Sequence, residues 1–285
     1  MTIAGTTTSS AELLKACCAD LWAHPGIRLL VGDAVRPGGL ELTRRAVGDL
    51  ALPAGSRALD VGCGTGATLR LLQEQGLRAA GIDYSAALAA EAGATAPAAV
   101  GDSERLPFRS GTFDAVFIAC VLSAVPDKET ASAELARVVA PGGAVALSDV
   151  TLDGQLPAPL DSFAGWIACA AGALSAGGYV ALLEDAGLWI ERSEDHRGAL
   201  ADLVAQARRR LALLQGALGT GGVGTGEVGL DPGGVEAEAA LHGGEGAGQR
   251  LGTGPQAGVQ PVAGDPEAVV EAFVLVAETA HLHVT

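Results

Sequence analysis

A short apolar run, Ala58-Leu59-Asp60-Val61, leads straight into Gly62-Cys63-Gly64-Thr65-Gly66 and then into a helical pattern over residues 66–75. Glycines at such a turn supply positive φ and let the backbone come close to a ligand. The helix that follows aims its partly positive N-terminus at the same place. This arrangement restricts the chain to folds in which a buried strand, a glycine loop and a helix cradle a bound molecule.

The same alternation continues downstream. Apolar strand patterns fall at 58–61, 79–82, 98–100, 113–118 and 144–147, with helical patterns at 66–75, 86–92 and 128–139. Short apolar strands between helices predict an α/β, Rossmann-like fold: a mostly parallel sheet with helices on both faces. Ahead of it lie a helix at 11–22, with Ser10 as its N-cap, a loop-rich stretch at 24–39 and a helix at 40–50. Behind it come helices at 160–174 and 177–187, a strand at 188–192 and a long helix at 200–218. About a third of residues 216–265 are glycine, too little apolar surface to offset the entropy of ordering. Residues 274–277 are apolar again and return as a last strand. The chain thus divides into an N-terminal helical cap (1–50), a core (51–215), a flexible glycine-rich insertion (216–266) and a C-terminal strand that rejoins the sheet (267–285).

Charge and composition narrow the partners. A net charge of −15 repels phosphate backbones and anionic lipid, which argues against nucleic acid. Arg208-Arg209-Arg210 reads as a solvated helix face. Residues 1–20 lack a signal-peptide pattern, and the longest apolar stretch, 163–174, falls short of the ~20 residues that span a bilayer. The expectation is a cytoplasmic protein with a small-molecule substrate and no membrane partner. The five cysteines, Cys17, Cys18, Cys63, Cys120 and Cys169, are odd in number and give no disulfide scaffold.

The glycine loop alone leaves the cofactor open, because Gly62, Gly64 and Ala67 also fit the nicotinamide pattern G-x-G-x-x-A. Asp83 ends the second strand, where a carboxylate accepts from ribose hydroxyls, and this too is common to both classes. Asp60 two residues before the loop, Asp102-Ser103 after the third strand and Pro141-Gly142-Gly143 before the fifth separate them. With Leu106-Pro107-Phe108 and Phe113-Asp114, these motifs occur in the order that resembles the class I S-adenosylmethionine-dependent methyltransferases, from about residue 59 to 149. The resemblance implies S-adenosylmethionine as cofactor and a seven-stranded sheet whose last strand is antiparallel. It implies that Asp60, Gly62, Cys63 and Gly64 serve the methionine part of the cofactor, Asp83 and Tyr84 the ribose, and Asp102 and Ser103 the adenine, with Ala119 beside them.

The acceptor side is carried by thiols. Cys120 follows the fourth strand, at the edge of the sheet where ligands bind. The segments 119–128, 147–149 and 166–188 are similar to the arsenite methyltransferases. In that family a cysteine after the fourth strand, one in the next helical segment and one near the N-terminus bind trivalent arsenic. Cys120 and Cys169 fall on the first two positions, and Cys17 or Cys18 stands for the third. The implied reaction is attack by the arsenic lone pair, with no base. The chain departs from that family in its short N-terminal region and in the alanine-rich surroundings of Cys169. Two other readings stay open: methyl transfer to oxygen, nitrogen or carbon of a metabolite, with His24 or His196 as base, and a cofactor-binding accessory protein without turnover. No metal site is expected.

Overall fold

The computed structural model describes residues 10–32, 36–154, 172–217 and 269–279. Three helices come first: α1 (Ser10–Ala23), α2 (Pro25–Val31) and α3 (Gly39–Leu50). The core then runs β1 (Arg57–Val61), α4 (Ala67–Glu74), β2 (Arg78–Asp83), α5 (Ala86–Ala92), β3 (Ala98–Val100), β4 (Phe113–Ala119), α6 (Lys128–Val138) and β5 (Val139–Asp153). It continues through α7 (Ala176–Asp185), β6 (Leu188–Asp195), α8 (Arg197–Ala217) and β7 (Val269–Thr279). Among the described residues the strands form one sheet in the order β3-β2-β1-β4-β5-β7-β6. β3, β2, β1, β4 and β5 are parallel, and β7 runs antiparallel to both β5 and β6.

The side-chain period of the strands builds two apolar layers. Leu59, Val61, Val116, Ile118, Val145 and Leu147 face α6 and α7, where Leu135, Val138, Tyr179 and Leu183 meet them. The intervening residues, Ala58, Ala79, Ala115, Phe117 and Ala146, face α3 and α4 through Ala46, Val47, Leu69 and Leu72. The alanine content of the chain is used here, since small side chains let α3 and α4 approach the sheet closely. Each fully buried leucine contributes about 1.5–3 kcal/mol. α5, α6 and α7 start on side-chain caps: Ser85 accepts from the Leu88 N–H at 3.3 Å, Asp127 from the Thr130 N–H at 2.9 Å and Ser175 from the Gly178 N–H at 3.1 Å.

Several elements differ from the sequence reading. Residues 24–39 contain a helix, α2, because Pro25 sits at its first position and His24 Nδ1 accepts from the Gly26 N–H at 3.1 Å. β5 is far longer than 144–147. Pro141-Gly142-Gly143 lies inside it as a bulge, between the pairs Phe113↔Val139 and Ala115↔Ala144. Beyond Leu147 its polar residues are carried by pairing with β7, as far as Asp153↔Val269. β6 extends to Asp195; as an edge strand it tolerates charged side chains. Of the helix expected at 160–174, only residues 172–174 are described, and there Leu174 bridges Thr151. Cys169 and residues 218–268 of the insertion lie outside the described residues.

The chain moves outward from β1 to β2 and β3, then returns to β4 on the other side of β1. At that reversal the loops after β1 and β4 part and leave a crevice at the carboxyl edge, where α/β sheets bind ligands.

Candidate functional site

The crevice opens into a cavity of about 200 Å3. Its floor is the β1 loop. Gly62 holds φ +71, and a Cβ there would overlap Val121 Cγ2, so both conformation and space require glycine. At Gly64, φ is +54 and a Cβ would meet nothing within 4 Å, which leaves an open cradle on the cavity side. Cys63 lines the cavity too, but its thiol packs against Gly81 of β2, and burial, with Asp60 and Asp83 nearby, pushes that thiol far up. Cys63 therefore acts through its size and backbone.

Asp83, at the end of β2, accepts from the Gly64 N–H through Oδ2 and from the Ser85 N–H through Oδ1, both at 2.8 Å. These bonds aim its carboxylate along the cavity wall and leave lone pairs on both oxygens. Burial raises its pKa, and the two N–H bonds oppose that rise. Tyr84 lines the wall next to it. Gly101, Asp102 and Ser103 follow β3 and form the far end. Asp102 Oδ1 accepts from the Glu104 N–H at 3.0 Å.

Asp60 does not line this cavity. It lies beneath the loop, 2 % exposed, and burial pushes it up to about 7. The Arg36 guanidinium and a Thr68 hydrogen bond pull it back, while Asp83 adds to the rise. Its Oδ2 has no partner among the described residues.

The cap covers the cavity from above. Lys15, Cys18, Ala19 and Trp22 of α1, Arg28 of α2 and Arg36 before α3 all line it. Lys15 joins Asp102 and Glu104, and Arg28 makes a two-pronged pair with Glu91 at 2.7 and 2.9 Å. Lys15, Trp22, Arg28 and Arg36 carried no signal in the sequence, because each reaches the site through tertiary packing alone.

Ala119, Cys120 and Val121 supply the wall facing the loop. Cys120 is a non-glycine residue at φ +52, and its N–H donates to Ser148 O at 2.8 Å. Such a conformation carries strain that the surroundings must hold. They do so at Asp149, whose carboxylate accepts from the Ser123 N–H, the Ser123 hydroxyl and the Val150 N–H. Of the N-terminal pair, Cys18 faces the cavity and Cys17 is not among its lining residues. Burial, and Cys17 beside it, hold the Cys18 thiol up. Cys17, Cys18, Cys63 and Cys120 form no disulfide, and among the described residues no group of three His, Cys, Asp or Glu side chains could hold a metal ion. His24 serves as a helix cap and His196 lies 3.1 Å from Glu194; neither lines the cavity. Among the described residues no helix is long and apolar enough to cross a membrane.

Residues 59–147 match the family of methyltransferase domains. An O-methyltransferase of Aspergillus sclerotiorum is 33% identical over 129 residues, covering 42% of this chain and 49% of that protein. A demethylmenaquinone methyltransferase of Beutenbergia cavernae is 35% identical over 124 residues, covering 42% and 52%. The matched part thus spans about half the length of these relatives. A phosphoethanolamine N-methyltransferase of Haemonchus contortus, solved in complex with S-adenosyl-L-methionine, shares the fold at a TM-score of 0.60 and 21% identity, over 75% of this chain and 52% of that one. The match falls on the strands and loops that build the crevice: residues 59–147 are similar to methyltransferase domains, whose cofactor is S-adenosylmethionine.

Proposed function

We propose that the chain is an S-adenosylmethionine-dependent methyltransferase of a small-molecule acceptor, which enters between α1 and the loop after β4. The observation that carries this reading is one cavity joining Gly62–Gly64, Asp83, Asp102 and Ser103 to Cys18, Trp22, Cys120 and Val121. In it Asp83 would hold the ribose, Asp102 and Ser103 the adenine, and the β1 loop, supported from below by Asp60, the methionine part. The bound cofactor supplies an electrophilic methyl group on a sulfonium. The chain's own work is to hold, orient and exclude water. Alignment of the acceptor does most of it, and a base is needed only where the acceptor has a proton to lose.

No histidine is among the described lining residues, and the lining carboxylates Asp83 and Asp102 already accept from the chain. That favours an acceptor arriving with its own lone pair or anionic oxygen or carbon. Two versions follow. The first is a thiol-bound metalloid such as arsenite, held by Cys18 and Cys120, with Cys169 as the further ligand; that Cys18 and Cys120 both line the cavity supports it. The second is a quinol-like ring against Trp22, Val121, Ala124 and Val125, supported by that apolar wall and by the quinone substrate in a relative's name. The division into cap, core, insertion and returning strand belongs to this reading, with the cap as the substrate-side cover.

Labelled cofactor with trivalent arsenic plus thiol, and separately with a hydroquinone, tests both. Methylation of arsenic that disappears in Cys120→Ser and Cys18→Ser establishes the first version. Transfer to the hydroquinone, unchanged in both variants, establishes the second. No transfer to any acceptor, with the cofactor still bound, leaves the chain an accessory protein.

A further inference from the structure

Among the described residues three cations line the cavity, and two of them are matched by carboxylates. Lys15 meets Asp102 and Glu104, and Arg28 meets Glu91. Arg36 differs. Its Nε donates to Gly39 O at 3.1 Å and one Nη to Thr68 Oγ1 at 2.9 Å, both neutral acceptors. Among the described residues the second Nη has no partner, and no carboxylate stands within ion-pair distance of Arg36. Asp60 and Cys120 act on it only through their fields.

The β1 loop has the opposite surplus. The Gly62 and Cys63 N–H groups both donate to Ile82 O, at 2.8 and 2.9 Å, and the Gly64 N–H donates to Asp83. These three amides are spent inside the chain. What this stretch offers a ligand is carbonyl oxygen, which suits an ammonium group and repels a carboxylate. A zwitterionic ligand therefore needs its anion-binding donors elsewhere. The Thr68 hydroxyl that fixes Arg36 sits in the first turn of α4, where the helix dipole also favours an anion.

We propose that Arg36 is the carboxylate-binding residue for the methionine moiety of the cofactor. This rests on the S-adenosylmethionine reading of the cavity. The Gly39 and Thr68 bonds fix two edges of the planar guanidinium and present the third, and a charge-assisted bond from it orients the amino-acid end of the ligand. The residue thereby distinguishes the intact cofactor from adenosyl thioethers that have lost the carboxylate.

The test is calorimetric titration of the full chain with S-adenosylhomocysteine and with its decarboxylated counterpart. Wild type is compared with Arg36→Met and Arg36→Lys. Arg36→Met is expected to weaken S-adenosylhomocysteine about 10- to 100-fold, the range of a hydrogen bond to a charged group, and the decarboxylated ligand less than about 3-fold. Arg36→Lys is expected to recover part of the difference. Equal losses for both ligands, or none for either, overturn the proposal, because a purely structural role does not read the carboxylate. Should Arg36→Met fail to fold, Arg36→Lys decides: a narrower affinity ratio between the ligands than in wild type supports the proposal, and an unchanged ratio overturns it. Binding of neither ligand to wild type would instead overturn the cofactor reading, and the proposal with it.

Discussion

Lys15 Nζ lies 2.7 Å from Asp102 Oδ2, across 87 residues of sequence, and bonds Glu104 with the same ammonium. Glu104 in turn accepts from the Asp127 N–H at 3.0 Å, so α1, the β3 loop and the start of α6 are tied at one point. Lys15 is raised: burial lowers it, and the two carboxylates more than reverse that. Lys15→Met is expected to lower stability by about 1–2 kcal/mol, less than a fully buried pair because Asp102 is partly exposed. Urea unfolding measures this. An unchanged midpoint contradicts the tie, as does unchanged proteolysis within α1.

Asp60 gives a pH signature. Burial pushes it to about 7 from an ordinary value of 3.8, with Arg36 opposing. Between those values the folded chain binds more protons than the unfolded chain, so this carboxyl makes stability fall as pH rises, until the loss is complete above about 7. Asp60→Asn keeps the shape and removes the titration. The Tm of wild type should therefore fall relative to Asp60→Asn as pH is raised from about 4 to about 8. Asp83 and Asp149 are also raised by burial and act in the same direction, but they are common to both proteins and cancel in the difference. Parallel Tm curves refute this assignment.

Asp149 secures the loop after β4 by accepting from both the N–H and the hydroxyl of Ser123. Asp149→Ala leaves buried donors unpaired and is expected to lower stability by about 3 kcal/mol. Ser123→Ala, which removes only the hydroxyl, is expected to lower it by about 1 kcal/mol. Equal effects in denaturant unfolding contradict the assignment.

Gly62→Ala meets two obstacles, a left-handed φ and Val121 Cγ2. A loss of about 2 kcal/mol in stability is expected, together with weaker cofactor binding as the loop is displaced. Full stability with full affinity contradicts the close approach.

The legible parts of this protein were those written in local sequence. The β1 strand, the glycine loop and α4 stand in one continuous stretch, and the order of Asp83, Asp102-Ser103 and Phe113-Asp114 follows from strand ends. α2 is not legible as a helix because Pro25-Gly26 suggests a turn, although proline at a first helical position, with His24 as cap, starts a helix as well. β5 and β6 run beyond their legible parts because Asp149, Thr151, Ser193 and Glu194 break the apolar pattern. Pairing with β7, from the far end of the chain, is what makes those residues strand. Lys15 and Arg36 are not legible at all, since nothing near them in sequence marks a partner 30 to 90 residues away. Of the thiols, position after β4 identified Cys120 as a cavity residue, and only the orientation of α1 separates Cys18 from Cys17.

In the proposed function the Gly62–Gly64 loop, Asp83 and Asp102 form an S-adenosylmethionine site, in a sequence whose glycines also fit a nicotinamide pattern. Calorimetric titration of the chain with S-adenosylhomocysteine and, in parallel, with NADH tests it most directly. Saturable one-to-one binding of S-adenosylhomocysteine, lost in Asp83→Ala, is expected, with no binding of NADH. Binding of NADH without S-adenosylhomocysteine would contradict it.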